Sequence, residues 1–310
     1  MNATAFVFPG QGSQAIGMLN GFADNAIVRD TISEASDALQ LDLARLIAEG
    51  PKESLDLTTN TQPVMLASAV AFYRAWIAAG GALPALVAGH SLGEYSALVA
   101  AGVIEFRDAV PLVRFRAQAM QGAVPVGQGG MAAILGLSDD DVRAACTEAA
   151  HGEVVEPVNF NAPAQLVIAG HKAAVERACE QAKSKGAKRA LPLPVSAPFH
   201  SSLLKPASDR LREYLSGLEF STPRIQLINN VDVAIESDAA AIKDALVRQA
   251  AAPVRWVESV QKMSTLGITR VIECGPGKVL SGLVKRIDTQ LSADAINDQA
   301  SLQAVLEAGQ

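Results

Sequence analysis

Cysteine is scarce in this chain: three among 310 residues, Cys146, Cys179 and Cys274. They are widely spaced, odd in number and form no C-x-x-C pair. That pattern argues against a disulfide framework or a zinc site and suits a reducing cytoplasm. Positive charge is also short. Lys and Arg number 26 against 32 Asp and Glu, a net charge of −6, so no basic excess exists to neutralise a nucleic acid. A membrane-spanning stretch is missing too. The most apolar segment, Val64 to Ala79, carries Arg74 and breaks at Gly80-Gly81 and Pro84, which marks a buried helix. Met1 to Phe8 has neither a basic region nor a long apolar core, so no signal peptide is expected. There is no internal repeat and no low-complexity tract. The 49 % hydrophobic and 19 % charged content is that of a globular protein, with room for one large domain or two smaller ones.

Strand-like and helix-like segments alternate. Ala5 to Phe8 reads as a strand ended by Pro9-Gly10, residues 27–49 as helical, 64–79 as a core helix, and Arg107 to Gln121 as a further helix. Such alternation implies a parallel sheet with helices on its faces. The pattern changes at Val124-Pro125-Val126-Gly127-Gln128-Gly129-Gly130, a linker or hinge. Beyond it come a strand (131–135), a helix (139–150), two strands (154–159 and 165–169), a helix (172–185) and a strand (190–195). That order, βαββαβ, is ferredoxin-like. The expected domains are therefore a catalytic core of residues 1–126 and 197–310 and an inserted subdomain of residues 127–196. In the second half of the core, strands are expected at 225–229 and 270–273, with helices near 203–216, 239–251, 254–265 and 278–287. The last fifteen residues form a terminal helix or fray.

Gly89-His90-Ser91-Leu92-Gly93 fits G-x-S-x-G. Pro84 to Ala88 before it reads as a short buried strand and Leu92 to Ala101 after it as a helix. A serine on so sharp a strand-to-helix turn stands clear of the sheet, and the helix start behind it offers free N–H groups to an oxyanion. The alternative is a turn merely punctuated by Gly and Ser.

A serine nucleophile needs a base, and histidine is the usual one. The chain has four. His90 neighbours Ser91 on the elbow and points elsewhere; His151 and His171 end elements of the insert and read as exposed. His200 remains, on the segment Ser196-Ala197-Pro198-Phe199-His200-Ser201 that returns from the insert to the main sheet. No acid between Ser91 and His200 is placed to orient the imidazole: Asp108 and Asp139 to Asp141 read as helix-start or surface groups. The sequence thus favours a dyad, with a backbone carbonyl able to hold Nδ1–H. Arg116 interrupts the apolar stripe of Ala109, Leu112, Val113, Ala119 and Met120, while Arg114 lies on another face. An inward guanidinium needs a carboxylate, from the protein or from a substrate. Phe8 to Gln14 is a second Gly-rich loop. It lacks the second strand of a dinucleotide fingerprint and the lysine of a P-loop, and is left as a turn aiming N–H groups at a ligand.

Taken together, these segments resemble the acyltransferase family that contains the malonyl-CoA:acyl carrier protein transacylases of bacterial fatty acid synthesis and the acyltransferase domains of polyketide synthases. The resemblance rests on Phe8-Pro9-Gly10-Gln11-Gly12-Ser13-Gln14 with Gly17-Met18, Thr61-Gln62-Pro63, Gly89 to Glu94 and Arg114-x-Arg116. It continues through Asn159-Phe160-Asn161-Ala162-Pro163-x-Gln165, Pro198-Phe199-His200-Ser201, Gln249 and Glu273-x-Gly275-Pro276-Gly277. It implies an α/β-hydrolase-like core with a parallel sheet and a ferredoxin-like insert. It implies that Ser91 is acylated, His200 is its base, and the N–H groups of Gln11 and Leu92 form the oxyanion hole. Arg116 would bind the malonyl carboxylate, the backbone carbonyl of Gln249 would orient His200, and Phe199 resembles the malonyl-selective form of its motif. Ala250-Ala251-Ala252-Pro253 departs mildly from relatives, which often carry bulkier or polar residues there. Malonyl-CoA and acyl carrier protein would be the partners, with no metal or redox cofactor, no nucleic acid and no membrane, in a cytoplasmic monomer. Lys278, Lys285 and Arg286 form a candidate patch for an acidic carrier protein. Two rivals remain: a carboxylester hydrolase or thioesterase using the same elbow, and a non-catalytic carrier-binding module.

Overall fold

Phe6 and Phe8 point to one side of the first strand and Ala5 and Val7 to the other, and all four are fully buried. A strand apolar on both faces belongs inside a parallel sheet covered on both sides. The structure, a computed structural model, describes residues 3–195 and 197–309. Met1, Asn2, Ser196 and Gln310 lie outside the described residues, and the expected end of the insert falls at Ser196.

The chain begins β1 (Thr4–Phe8), α1 (Ala26–Leu39), α2 (Leu43–Glu49), α3 (Lys52–Leu55), α4 (Thr58–Ala78), β2 (Leu86–Gly89), α5 (Gly93–Ala100) and α6 (Phe106–Gln121). It continues with β3 (Gly129–Leu135), α7 (Asp139–Ala150), β4 (Val155–Ala162), β5 (Gln165–His171), α8 (Lys172–Ser184) and β6 (Arg189–Pro192). It ends with α9 (Lys205–Ser216), β7 (Gln226–Ile228), α10 (Ala239–Gln249), α11 (Trp256–Thr265), β8 (Arg270–Cys274), α12 (Val279–Ile287), β9 (Ser292–Ile296) and α13 (Gln299–Glu307).

Five strands form a parallel sheet in the order β7-β2-β1-β8-β9. One face, with Phe6, Phe8, Val87, Leu227 and Ile272, packs on α1, α4, α6 and α9. The other, with Ala5, Val7, Leu86, Ala88 and Val271, packs on Trp256, Val260 and Met263 of α11 and Leu280, Leu283 and Val284 of α12. Helix α4 is buried nearly all round, as a helix apolar on every side must be.

The second sheet is antiparallel, in the order β4-β5-β3-β6. In chain order this is the ferredoxin-like arrangement. Helices α7 and α8 bury one face around Ile134, Leu166, Ile168, Cys146 and Cys179. The opposite face carries only a small cluster, Met131, Val158, Val167 and Ala169, against which Leu193, Val195 and Phe199 pack. This thinner face turns toward the parallel sheet. The two are stitched by Val254 N–H to Val158 O at 2.8 Å and Phe160 N–H to Val254 O at 3.0 Å.

The α/β expectation, with a parallel sheet and a separate antiparallel one, is borne out. Several boundaries are corrected. The helix expected over 27–49 is two, because Gln40 adopts a left-handed conformation (φ 52°) that ends α1. The core helix starts at Thr58, six residues early, with Pro63 inside it. Gly129 and Gly130 belong to β3 rather than to the hinge, and the strand expected to reach Val195 stops at Pro192. Strand β9, which the sequence reading misses, adds an edge beside β8. No helix among the described residues is long and apolar enough to cross a membrane.

Candidate active site

The elbow at Ser91 follows from two glycines. A Cβ on Gly89 would sit 1.9 Å from the Gly93 carbonyl carbon, and one on Gly93 would sit 2.0 Å from Phe8 O. Neither clash can relax, since both involve backbone, so only glycine permits β2 to turn this tightly into α5. Ser91 itself adopts φ 53°, a strained conformation for a non-glycine residue of the kind stored at functional sites. Asn230 holds the bend: its Nδ2 donates to Gly89 O and its Oδ1 accepts from Ser91 N–H, both at 2.7 Å.

His200 also has positive φ, 65°, and is 4 % exposed. Its Nδ1 lies 2.9 Å from Gln249 O and its Nε2 lies 2.6 Å from Ser91 Oγ. A carbonyl oxygen only accepts, so Nδ1 carries the proton and Nε2 is free to take the serine hydrogen. Gln249 is the last residue of α10, and the final carbonyls of a helix have no intrahelical partner. A helix C-terminus also favours a positive imidazolium. Asp108 and Asp139 to Asp141 are exposed in the first turns of α6 and α7, so no acid occupies the orienting position.

Arg116, 1 % exposed on α6, points into the same place. Its Nη1 donates to Gln62 Oε1 at 2.9 Å, and its Nη2 donates to Gln249 Oε1 at 2.9 Å and to Ser91 Oγ at 3.2 Å. Its carbon lies 5.3 Å from the Tyr95 ring centroid. Nε has no partner among the described residues. Every group that Arg116 hydrogen-bonds among the described residues is neutral, and none of those residues sets a carboxylate in direct contact with the buried cation. This is the arrangement expected of a site awaiting an anion.

Ser91, His200, Arg116, Gln11, Leu92, Gln62 and Phe199 line one cavity of about 460 Å³ between the two sheets. Met131, Asn159 and Leu193 close it from the antiparallel side. A larger cavity of about 670 Å³ shares Gln11, Met131, Leu193 and Phe199 with it and opens outward past Val126 and Lys172. The N–H groups of Gln11 and Leu92 face no acceptor among the described residues. Leu92 stands at the N-terminus of α5, where such donors are free by construction.

Burial and the Arg116 charge together push the His200 pKa down to about 3. Burial raises that of Glu94 to about 7 against hydrogen bonds from Gln249 and Asn230 and the charge of Arg116, which pull it back.

The other histidines fall partly as expected. His90 turns away from Ser91, its Nε2 2.8 Å from Asn161 Oδ1. His151 is exposed. His171 is a correction: it is half-buried, and its Nδ1 accepts from Val154 N–H at 2.9 Å, because the end of β5 lies beside the start of the neighbouring β4. Asn230 and the side chain of Gln249 escape sequence reasoning. Asn230 sits just past a short strand, where asparagine reads as turn chemistry.

Residues 5–302 match the family model described as acyl transferase domain. The chain is 57 % identical over 307 residues to the malonyl CoA-acyl carrier protein transacylase of Salmonella typhimurium, covering 99 % of each. It is 55 % identical over 308 residues to that of Escherichia coli K12, covering 99 % of this chain and 100 % of the relative. Among solved structures, the acyl-carrier-protein S-malonyltransferase of Burkholderia pseudomallei is 70 % identical with a TM-score of 0.97, covering 99 % of this chain and 100 % of that one. A malonyl-transacylase solved in complex with its type II polyketide acyl carrier protein is 54 % identical, also at 0.97, covering 98 % and 99 %.

Proposed function

The chain belongs to the acyl transferase family, and from that premise we propose that Ser91, His200 and Arg116 carry malonyl transfer. The protein is a malonyl-CoA:acyl carrier protein S-malonyltransferase that supplies fatty acid synthesis. The observation that carries the reading is the 3.2 Å contact of Arg116 Nη2 with Ser91 Oγ, beside the 2.6 Å contact of that oxygen with His200. A malonyl thioester has one methylene between the carbonyl under attack and its distal carboxylate. A cation touching the nucleophile is therefore where that carboxylate falls, and Arg116 can hold it bidentately.

Ser91 Oγ attacks the thioester carbon while its proton passes to His200 Nε2. The oxyanion is received by the N–H groups of Gln11, in the turn after β1, and of Leu92, at the start of α5, where a helix N-terminus suits that charge. Collapse breaks the C–S bond, and the CoA thiolate takes the proton from Nε2. The carrier's phosphopantetheine thiol then gives its proton to Nε2 as its sulfur attacks the malonyl ester, and Ser91 leaves with that proton. Donor and product are both thioesters, so the two half-reactions are nearly balanced and ping-pong. Phe199, on the cavity wall beside His200, restricts branching on the acyl group. The substrate carboxylate also neutralises Arg116, the charge that opposes an imidazolium at His200.

That charge gives a pH prediction. His200 is held well below its ordinary value, so it is neutral down to acid pH in the free enzyme. The acid limb of kcat/KM therefore lies below pH 6.5, because that limb reports the free enzyme's base. In Arg116→Gln the opposing cation is gone and the limb moves up in pH. A limb at pH 6.5 in both proteins would contradict the placement.

The deciding assay for the function follows both products of malonyl-CoA with holo carrier protein present. Malonyl-carrier without matching free malonate supports transfer; malonate released ahead of carrier loading supports the hydrolase. In the same assay, Lys285→Glu with Arg286→Glu tests docking. Lys278, Lys285 and Arg286 are exposed at the two ends of α12, and Arg286 also reaches Gln165. A raised KM for carrier alone supports that face, and an unchanged one excludes it. A thiol acceptor and free cysteines fit a cytoplasmic enzyme. A monomer is the assembly proposed, and gel filtration checks it.

A further inference from the structure

We infer that Glu94 is a positioning residue, which through Gln249 holds His200 and Arg116 in their working orientations. The inference rests on the acyl-transfer reading and adds to it. Glu94 follows the elbow on α5 and is 1 % exposed. Its Oε2 accepts from Gln249 Nε2 at 3.0 Å and from Asn230 N–H at 3.0 Å. Gln249 Nε2 donates in addition to Ser91 O at 2.9 Å. Two acceptors at one end of this amide and the Arg116 donor at the other fix which way it points. Its backbone oxygen meanwhile holds His200 Nδ1. One side chain thus sets the base, the cation and the elbow, and the carboxylate of Glu94 anchors it.

The same carboxylate holds the main chain of Asn230, whose side chain clamps Gly89 and Ser91. Without Glu94, Gln249 keeps only Ser91 O and Arg116, and its amide is free to swing. Glu94 also stays one amide away from Arg116. It offsets the buried cation across Gln249 without occupying the guanidinium edge that a substrate carboxylate needs. A direct pair would satisfy Arg116 and close the site to anions. Burial of a carboxylate in this setting is costly unless its hydrogen bonds are made, and Gln249 and Asn230 supply them.

The test is a double-mutant cycle read as kcat for malonyl and for acetyl transfer, with Ser91→Ala as reference. Glu94→Ala is expected to lower kcat about 30- to 100-fold, the cost of a misplaced catalytic group. Acetyl transfer falls because His200 serves both acyl groups, and malonyl transfer falls further, because Arg116 loses its fixed Gln249 partner as well. Glu94→Gln, whose carbonyl can stand where Oε2 accepts both N–H groups, should recover kcat to within about fivefold of the parent. In a Gln249→Ala background, Glu94→Ala should add less than about threefold, because the two act as one unit. Should the alanine chain not fold by circular dichroism, Glu94→Asp substitutes: it keeps the charge, withdraws the oxygen by one methylene, and is expected to lose at least about tenfold. Parent-like kcat in the Ala or Asp chain, or full multiplication of the two losses, overturns the inference. Transfer surviving in Ser91→Ala overturns the acyl-transfer reading instead.

Discussion

Arg116→Ala is expected to cut malonyl transfer while sparing acetyl transfer. Removing one partner of a buried, hydrogen-bonded charge pair costs about 2–5 kcal/mol. At about 1.4 kcal/mol per tenfold, that is roughly 30- to 4,000-fold in kcat/KM for malonyl-CoA. Acetyl-CoA has no distal carboxylate and loses nothing from this contact. It gains instead, because burying Arg116 unpaired beside an uncharged substrate is unfavourable, and because the cation opposing the His200 imidazolium is gone. Preference should therefore invert, read as the ratio of the two kcat/KM values. Equal losses for both acyl groups would mean that Arg116 serves the scaffold: its contacts with Gln62 and Gln249 brace three helices, and their loss would impair any substrate.

Ser91→Ala is expected to lower transfer by at least ~10⁴-fold, the scale seen when the nucleophile of a serine enzyme is removed. The fold should survive. Among the described residues Ser91 Oγ bonds only to His200 and Arg116, while the elbow is held by its backbone, by Asn230 and by the glycines on either side. Alanine keeps that backbone at some strain, since φ 53° is no easier for alanine. Steady-state transfer and a thermal unfolding curve together check this. Lost transfer with an unfolding temperature near the parent's is the predicted pair of results. Near-parent transfer would favour a carrier-binding module.

The legible parts of the molecule were those with local chemistry. G-x-S-x-G between a strand and a helix points to Ser91 because the backbone there tolerates only glycine. Arg116 is visible because it interrupts an apolar stripe. His200 emerges because the chain has so few histidines. The βαββαβ order marks the antiparallel sheet from element sequence alone. What stays hidden is what has no side-chain signature. A backbone carbonyl such as that of Gln249 can come from any residue, so its role follows only from family resemblance. Glu94 reads as an acid in the first turn of a helix, favoured there by the dipole alone; its burial depends on α10 and the Asn230 loop, far off in sequence. Strand β9, Ser-Ala-Asp-Ala-Ile, is short and weakly apolar, and forms because β8 offers it an edge. The break at Gln40 hides in a run whose period continues on both sides.

The most direct measurement loads the protein with malonyl-CoA in the absence of any thiol acceptor and maps the covalent adduct by mass spectrometry. The account predicts one malonyl group per chain, carried on the peptide containing Ser91. That group should leave when holo carrier protein is added, with malonyl-carrier appearing in equal amount. Malonyl found on another residue, or a bare Ser91 while free malonate accumulates, would contradict it.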